Sequence, residues 1–144
     1  MSASKFVVND DLLNSCIFIA DWPLSRVLLK NTNQYPWLIL VPRRDKVTEI
    51  YQLSQIDRHA LIDEISKLSE IMQLYFKPNK LNVGSLGNIV PQLHVHIIAR
   101  FSNDTAWPYG VWQNKSQTDG VYESSSSTLQ ELIPLVESAF TSAV

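Results

Sequence analysis

Two of the chain's three histidines, His94 and His96, lie one residue apart in the run Pro91-Gln92-Leu93-His94-Val95-His96-Ile97-Ile98. An imidazole can attack a substrate, move protons near neutral pH or ligate a metal. In an extended strand alternate side chains share a face, which puts Gln92, His94 and His96 on one side and Leu93, Val95 and Ile97 on the other. A polar row backed by a core needs partners for its nitrogens, because burying unsatisfied polar groups is unfavourable. The pattern leaves two readings open, a substrate site and a hydrogen-bonded structural pair. Zinc generally takes three or four protein ligands, and the single cysteine, Cys16, is far away in sequence, so no metal and no cofactor is expected. The third histidine, His59, lies among Asp57, Arg58, Asp63 and Glu64, where a solvated side chain is the ordinary outcome.

The elements that must position this row belong to one domain, residues 1–144, which is the size at which a chain buries about two thirds of its unfolded surface. A hydrophobic fraction of 45% and a charged fraction of 18% exclude extensive disorder. The net charge is −2 and the tightest basic cluster is Arg43, Arg44 and Lys46, which excludes a broad footprint for a nucleic-acid duplex. No stretch reaches the length of a membrane span, and Lys5, Asp10 and Asp11 do not form a secretory pattern. Cys16, in Cys16-Ile17-Phe18-Ile19-Ala20, reads as a buried small hydrophobe, and a reducing cytoplasm is expected.

Asn9, Asp10 or Asp11 can cap a short first helix before the Cys16–Ala20 strand. The Pro-centred turn Asp21-Trp22-Pro23-Leu24-Ser25 joins it to Arg26–Lys30 as a hairpin. After a polar loop, Trp37–Val41 is a continuous apolar run that predicts a buried central strand. From an N-cap at Ser54, apolar residues at 61, 65, 68, 72 and 75 predict a long amphipathic helix ending near Phe76, since Pro78 disfavours helix at Lys77. Leu81–Ser85 resumes extended chain and forms a second hairpin with the histidine strand. Trp107-Pro108-Tyr109-Gly110-Val111-Trp112 is too rigid for a linker and is expected to pack onto the domain. Beyond the serine run 124–127, Thr128 and Glu131 offer a capping box for a helix toward Phe140, with Pro134 inside it.

The block Gly87-Asn88-Ile89-Val90-Pro91-Gln92-Leu93-His94-Val95-His96-Ile97-Ile98 resembles the histidine triad (HIT) signature, His-φ-His-φ-His-φ-φ, with Gln92 in place of the first histidine. The upstream order, including Val41-Pro42-Arg43-Arg44, is also similar, and the resemblance covers about residues 10–101; an aromatic segment and helix occupy 102–144. Tyr35-Pro36-Trp37 and Trp107-Pro108 resemble a bacterial branch of HIT hydrolases. The resemblance implies an α+β fold with a five-stranded antiparallel sheet and one long helix, followed here by a shorter C-terminal helix. It also implies a homodimer that hydrolyses or transfers nucleoside monophosphates from phosphoanhydrides or phosphoramidates.

Carried over residue by residue, the resemblance makes His94 the nucleophile, which would hold the nucleotidyl group as a phosphoramidate. His96 would donate to a phosphate oxygen, and Asn82 and Asn88 would lie near the phosphates. The position of the family's ribose-binding aspartate holds Asn31 or Thr32, depending on the gap, and Asn31 can still hydrogen-bond ribose. Gln92 can donate through its amide but has no accessible pKa with which to protonate a leaving group. A purine nucleotide or nucleotide conjugate is therefore the expected partner. A nucleotide-binding regulatory module with little turnover is the alternative. Arg43 and Arg44 can steer a polyphosphate, although charges ending a strand are more often simply solvated.

Overall fold

The computed structural model of the protein describes residues 5–113, 120–123 and 125–140. Helix α1 (Asp10–Ser15) leads into β1 (Cys16–Asp21), β2 (Ser25–Lys30), β3 (Trp37–Pro42), α2 (Gln55–Phe76), β4 (Lys80–Gly84), β5 (Val95–Arg100) and α3 (Ser127–Ser138). All strand pairs are antiparallel, in the order β1-β2-β3-β5-β4, so the fold is the expected α+β arrangement with a five-stranded sheet. The long strand-to-strand connection through α2 lets β5 insert between β3 and β4 rather than follow in sequence order.

Strand alternation divides the core into two faces. Leu38, Leu40, Ile97 and Ala99 face Leu68, Ile71 and Met72 of α2 and Leu132 and Val136 of α3. Leu28, Trp37, Ile39, Val41 and Ile98 face the other way, where Val8, Leu12, Val90, Ala106 and Val111 cover them. Helix α2 starts where its sequence dictates, the Ser54 side chain accepting from Asp57 N–H, and ends on Lys77 in the left-handed region. One polar residue breaks its apolar stripe: buried Glu64 accepts the backbone N–H groups of Leu24 and Ser25 at 2.8 and 3.0 Å, fastening the β1–β2 turn to the helix. Burial pushes this carboxyl upward, against the pull of those hydrogen bonds. On the same side Trp22 Nε1 donates to the Val136 carbonyl at 2.8 Å and ties α3 to that turn.

Three local expectations need correction. The histidine strand begins at Val95, so Gln92 and His94 precede it; the Leu93 N–H donates to Val47 rather than to a sheet neighbour, which ends the ladder. The Thr128–Glu131 capping box does not form, since α3 starts at Ser127 with no side-chain cap and Glu131 instead accepts from the Tyr75 hydroxyl at 2.8 Å. The helix itself runs toward Phe140 as expected, ending at Ser138 with Pro134 inside it. Cys16 is half-buried at the rim of the core, its thiol pushed up chiefly by burial. Of the serine run 124–127, Ser124 lies outside the described residues.

Candidate active site

His94 immediately precedes β5 and His96 is its second residue; both are buried, with ring centroids 4.7 Å apart and planes at 72°. Their tautomers are fixed by partners that can play only one role. His94 Nδ1 lies 2.7 Å from the Gln92 carbonyl oxygen. A carbonyl only accepts, so Nδ1 carries the proton and, in the neutral ring, Nε2 keeps its lone pair. Trp37 Nε1 donates to His96 Nδ1 at 2.9 Å. An indole N–H only donates, so His96 bears its proton on Nε2. Burial, then the charges of His94 and Lys30, lower His96 from 6.5 to about 3, which keeps it neutral at physiological pH. The two rings therefore offer one lone pair and one N–H donor side by side.

Sheet register makes this possible. His96 pairs directly with Ile39 and Gly84, and Trp37, opposite Ile98, sits diagonally from it within reach of a long side chain. The Trp112 ring lies over Gly84, 5.4 Å from the His96 ring and 6.1 Å from that of Trp37. Its Nε1–H is buried without a hydrogen-bond partner among the described residues.

Gln92 takes a different direction from the histidines. Its Oε1 accepts the Asn9 N–H at 2.8 Å and its Nε2 donates to the Val7 carbonyl at 2.9 Å. These backbone groups have fixed roles, so they also decide which end of the amide is oxygen. Asn9 is the N-cap of α1, accepting from Asp11 N–H, and Val8 between the two contacts is buried in the site-side core. The Gln92 side chain thus fastens the N-terminal segment while its carbonyl aims His94.

The remaining predicted residues are spread around this centre. Asn82, on β4, accepts from buried Arg100 at 2.9 Å. Asn88 is exposed just after Gly87, whose φ of 73° suits glycine. Asn31 follows β2, two strands across the sheet, and its Oδ1 accepts the Tyr122 N–H at 3.0 Å. Arg43 is committed to the Trp22, Pro23 and Leu24 carbonyls, and Arg44 to Asp57 at 2.6 Å. His59 is exposed on α2.

Sequence reasoning missed two features. Trp37 was an apolar strand residue until the β3–β5 register brought its N–H to His96. Arg100 and Asp104 form a pair with side chains 1% and 6% exposed, the arginine lying within 6 Å of the Tyr35 and Trp107 ring centres. Burial tends to raise Asp104, but the Arg100 hydrogen bond and backbone N–H groups of Phe101 and Trp107 hold it below the usual carboxylate range. This pair shapes the loop that delivers Ala106, Val111 and Trp112 to the site. A charged residue directly after the apolar run Ile97-Ile98-Ala99, four before an aspartate, was the available signal.

Residues 13–103 match the model of the HIT domain. This chain belongs to the HIT domain family. The matched region of this HIT-domain protein contains all five strands and both site histidines and ends before Trp107 and Trp112. Among solved structures it is similar to histidine triad proteins from Bradyrhizobium japonicum and Marinobacter aquaeolei. The first is 40% identical, with 91% of this chain and 95% of that one covered and a TM-score of 0.84. The second is 40% identical, with coverages of 91% and 96% and a TM-score of 0.85. A histidine triad protein from Sinorhizobium meliloti is 31% identical over 92% and 96%, with a TM-score of 0.84. No curated protein gives a significant match. Among the described residues, no group of three histidine, cysteine or acidic side chains could hold a metal, and no helix is long and apolar enough to cross a membrane.

Proposed function

We propose that this HIT-domain protein is a nucleotidyl hydrolase or transferase acting on nucleoside-monophosphate anhydrides or phosphoramidates, such as dinucleoside polyphosphates or adenylylated small molecules. The observation that carries the reading is the opposed tautomer pair, a free Nε2 on His94 beside an Nε2–H on His96. The His94 lone pair attacks the α-phosphorus, and its Nδ1–H stays on the Gln92 carbonyl, which supports the positive charge the ring gains. His96 donates to a non-bridging oxygen as charge develops there. Gln92 occupies the first position of the triad. Asn88 is free to reach the phosphates from its exposed turn, Asn82 keeps its amide N–H groups for them while its oxygen holds Arg100, and Asn31 retains its amide N–H groups for the ribose. A homodimer fits the exposed Val83, Leu86 and Ile89 along edge strand β4 and the loop after it.

The decisive experiment is intact-protein mass spectrometry after brief exposure to an AMP anhydride. A mass gain of one adenylyl group, lost in His94→Ala, is expected; equal kcat/KM for parent and variant at equal folding would sink the mechanism. The alternative, a nucleotide-binding module with little turnover, is favoured by one observation: the first triad position carries a non-ionisable side chain bound to backbone. Calorimetric titration with AMP that shows tight binding, with no product formed, would select it.

A further inference from the structure

We propose that this site releases only leaving groups that depart as stable anions, so its substrates are nucleotidyl anhydrides of carboxylic, phosphoric or sulfuric acids rather than phosphoramidates of amines. The proposal rests on the reading of His94 as nucleophile and narrows its substrate class.

An amine cannot leave phosphorus as its anion, so phosphoramidate cleavage needs a proton on the departing nitrogen. Among the described residues, none of the side chains in contact with the two imidazoles has one to give. The His94 proton sits on Nδ1, turned away from the reacting nitrogen and held by the Gln92 carbonyl. His96 could serve as an acid only as imidazolium, yet its Nδ1 already receives the Trp37 N–H, and a second proton there would set two donors against each other. The depressed basicity of His96 agrees with that geometry. Gln92 is a carboxamide whose two ends are engaged by Asn9 and Val7, and Trp112 contributes an indole N–H. These groups donate hydrogen bonds and retain their protons.

The chemistry closes without an acid when the leaving group is a stable oxyanion. The Nε2 lone pair of His94 forms the N–P bond, and the P–O bond breaks with its electron pair going to the departing oxygen. Water then attacks phosphorus, the N–P pair returns to Nε2, and the water proton passes to solvent. The products are the nucleoside monophosphate, the acid anion and one proton.

The test uses the full chain with aryl esters of AMP whose phenols span about three pKa units, together with acetyl-AMP and an alkylamine phosphoramidate of AMP. We expect kcat/KM to fall on the order of 100-fold across the esters, and the phosphoramidate to be slower than acetyl-AMP by at least that factor. Gln92→His, which supplies a titratable group, should raise the phosphoramidate rate selectively. Gln92→Ala, which loses the hold on Val7 and Asn9 without adding an acid, should lower all substrates together. A flat dependence on leaving-group pKa would overturn the proposal and point to a proton source such as Lys30, whose ammonium lies 5.5 Å from the Trp37 ring centre. Equal gains from the alanine and histidine variants would also overturn it. Failure of the nucleophile reading looks different: no adenylyl adduct on His94 with any member of the series.

Discussion

On one face of the sheet Leu38, Leu40 and Ile97 meet two regular helices, while on the other Trp37, Ile39 and Ile98 meet an N-terminal segment and an irregular aromatic loop. The helical face is held mainly by apolar side chains, with Glu64 and Trp22 as its polar fasteners. The site face relies on specific polar contacts: Gln92 on the Val7–Asn9 backbone, Trp37 on His96, and Arg100 on Asp104. Irregular backbone has no ladder to satisfy it, so side chains must supply the partners. One of those contacts, Trp37 on His96, also fixes an imidazole tautomer, which a purely apolar cover could not do.

Substitutions separate the two faces. The largest effect is expected for His94→Ala, a loss on the order of ten-thousand-fold in kcat/KM with an almost unchanged melting temperature; a change of less than tenfold would overturn the catalytic role proposed for the site face. Next come Arg100→Ala and Leu68→Ala. Breaking the buried ion pair should destabilise by about 3–5 kcal/mol, and emptying the helical core by about 2–5 kcal/mol, both read by urea denaturation. The comparison sharpens if folded Leu68→Ala keeps its KM while Arg100→Ala raises it, and it fails if the two behave alike.

The pH dependence is a further test. Unfolded, His96 takes up a proton near 6.5, whereas folded it does so only near 3, so its contribution is intact above 6.5 and is lost as pH falls through that window. Between pH 7 and pH 5 it should remove ~2 kcal/mol of stability. His96→Asn should flatten that slope, and an unflattened slope would show that His96 is ordinarily basic. Trp37→Phe should destabilise by about 1–3 kcal/mol by leaving His96 Nδ1 without its donor, with nitrogen NMR reporting a mixture of His96 tautomers. The smallest effect is expected for Arg44→Ala, below about 1 kcal/mol because its pair with Asp57 is partly solvated; a marked rise in KM for a polyphosphate substrate would restore a steering role.

Periodicity made the helical face legible. The apolar positions of α2 and the Ser54 cap fixed a helix within a residue of its ends, and the continuous Trp37–Val41 run marked the central strand. Such patterns survive in sequence because they depend on neighbours three, four or two residues apart. The site was legible only as a row, Gln92, His94, His96, with no indication that Gln92 would turn to the N-terminal segment. Its partners lie 83 and 85 residues away, and nothing local marks Val7 or Asn9 as their complement.

The sequence by itself determined the alternation that sets polar groups against a core, the long helix and the two imidazoles in register. Tertiary structure alone decided their protonation. It placed β5 beside β3 so that an indole N–H meets His96, and it ended the strand so that the Gln92 carbonyl meets His94. A tautomer is set by the partner of the other ring nitrogen, and here one partner comes from a strand 59 residues away.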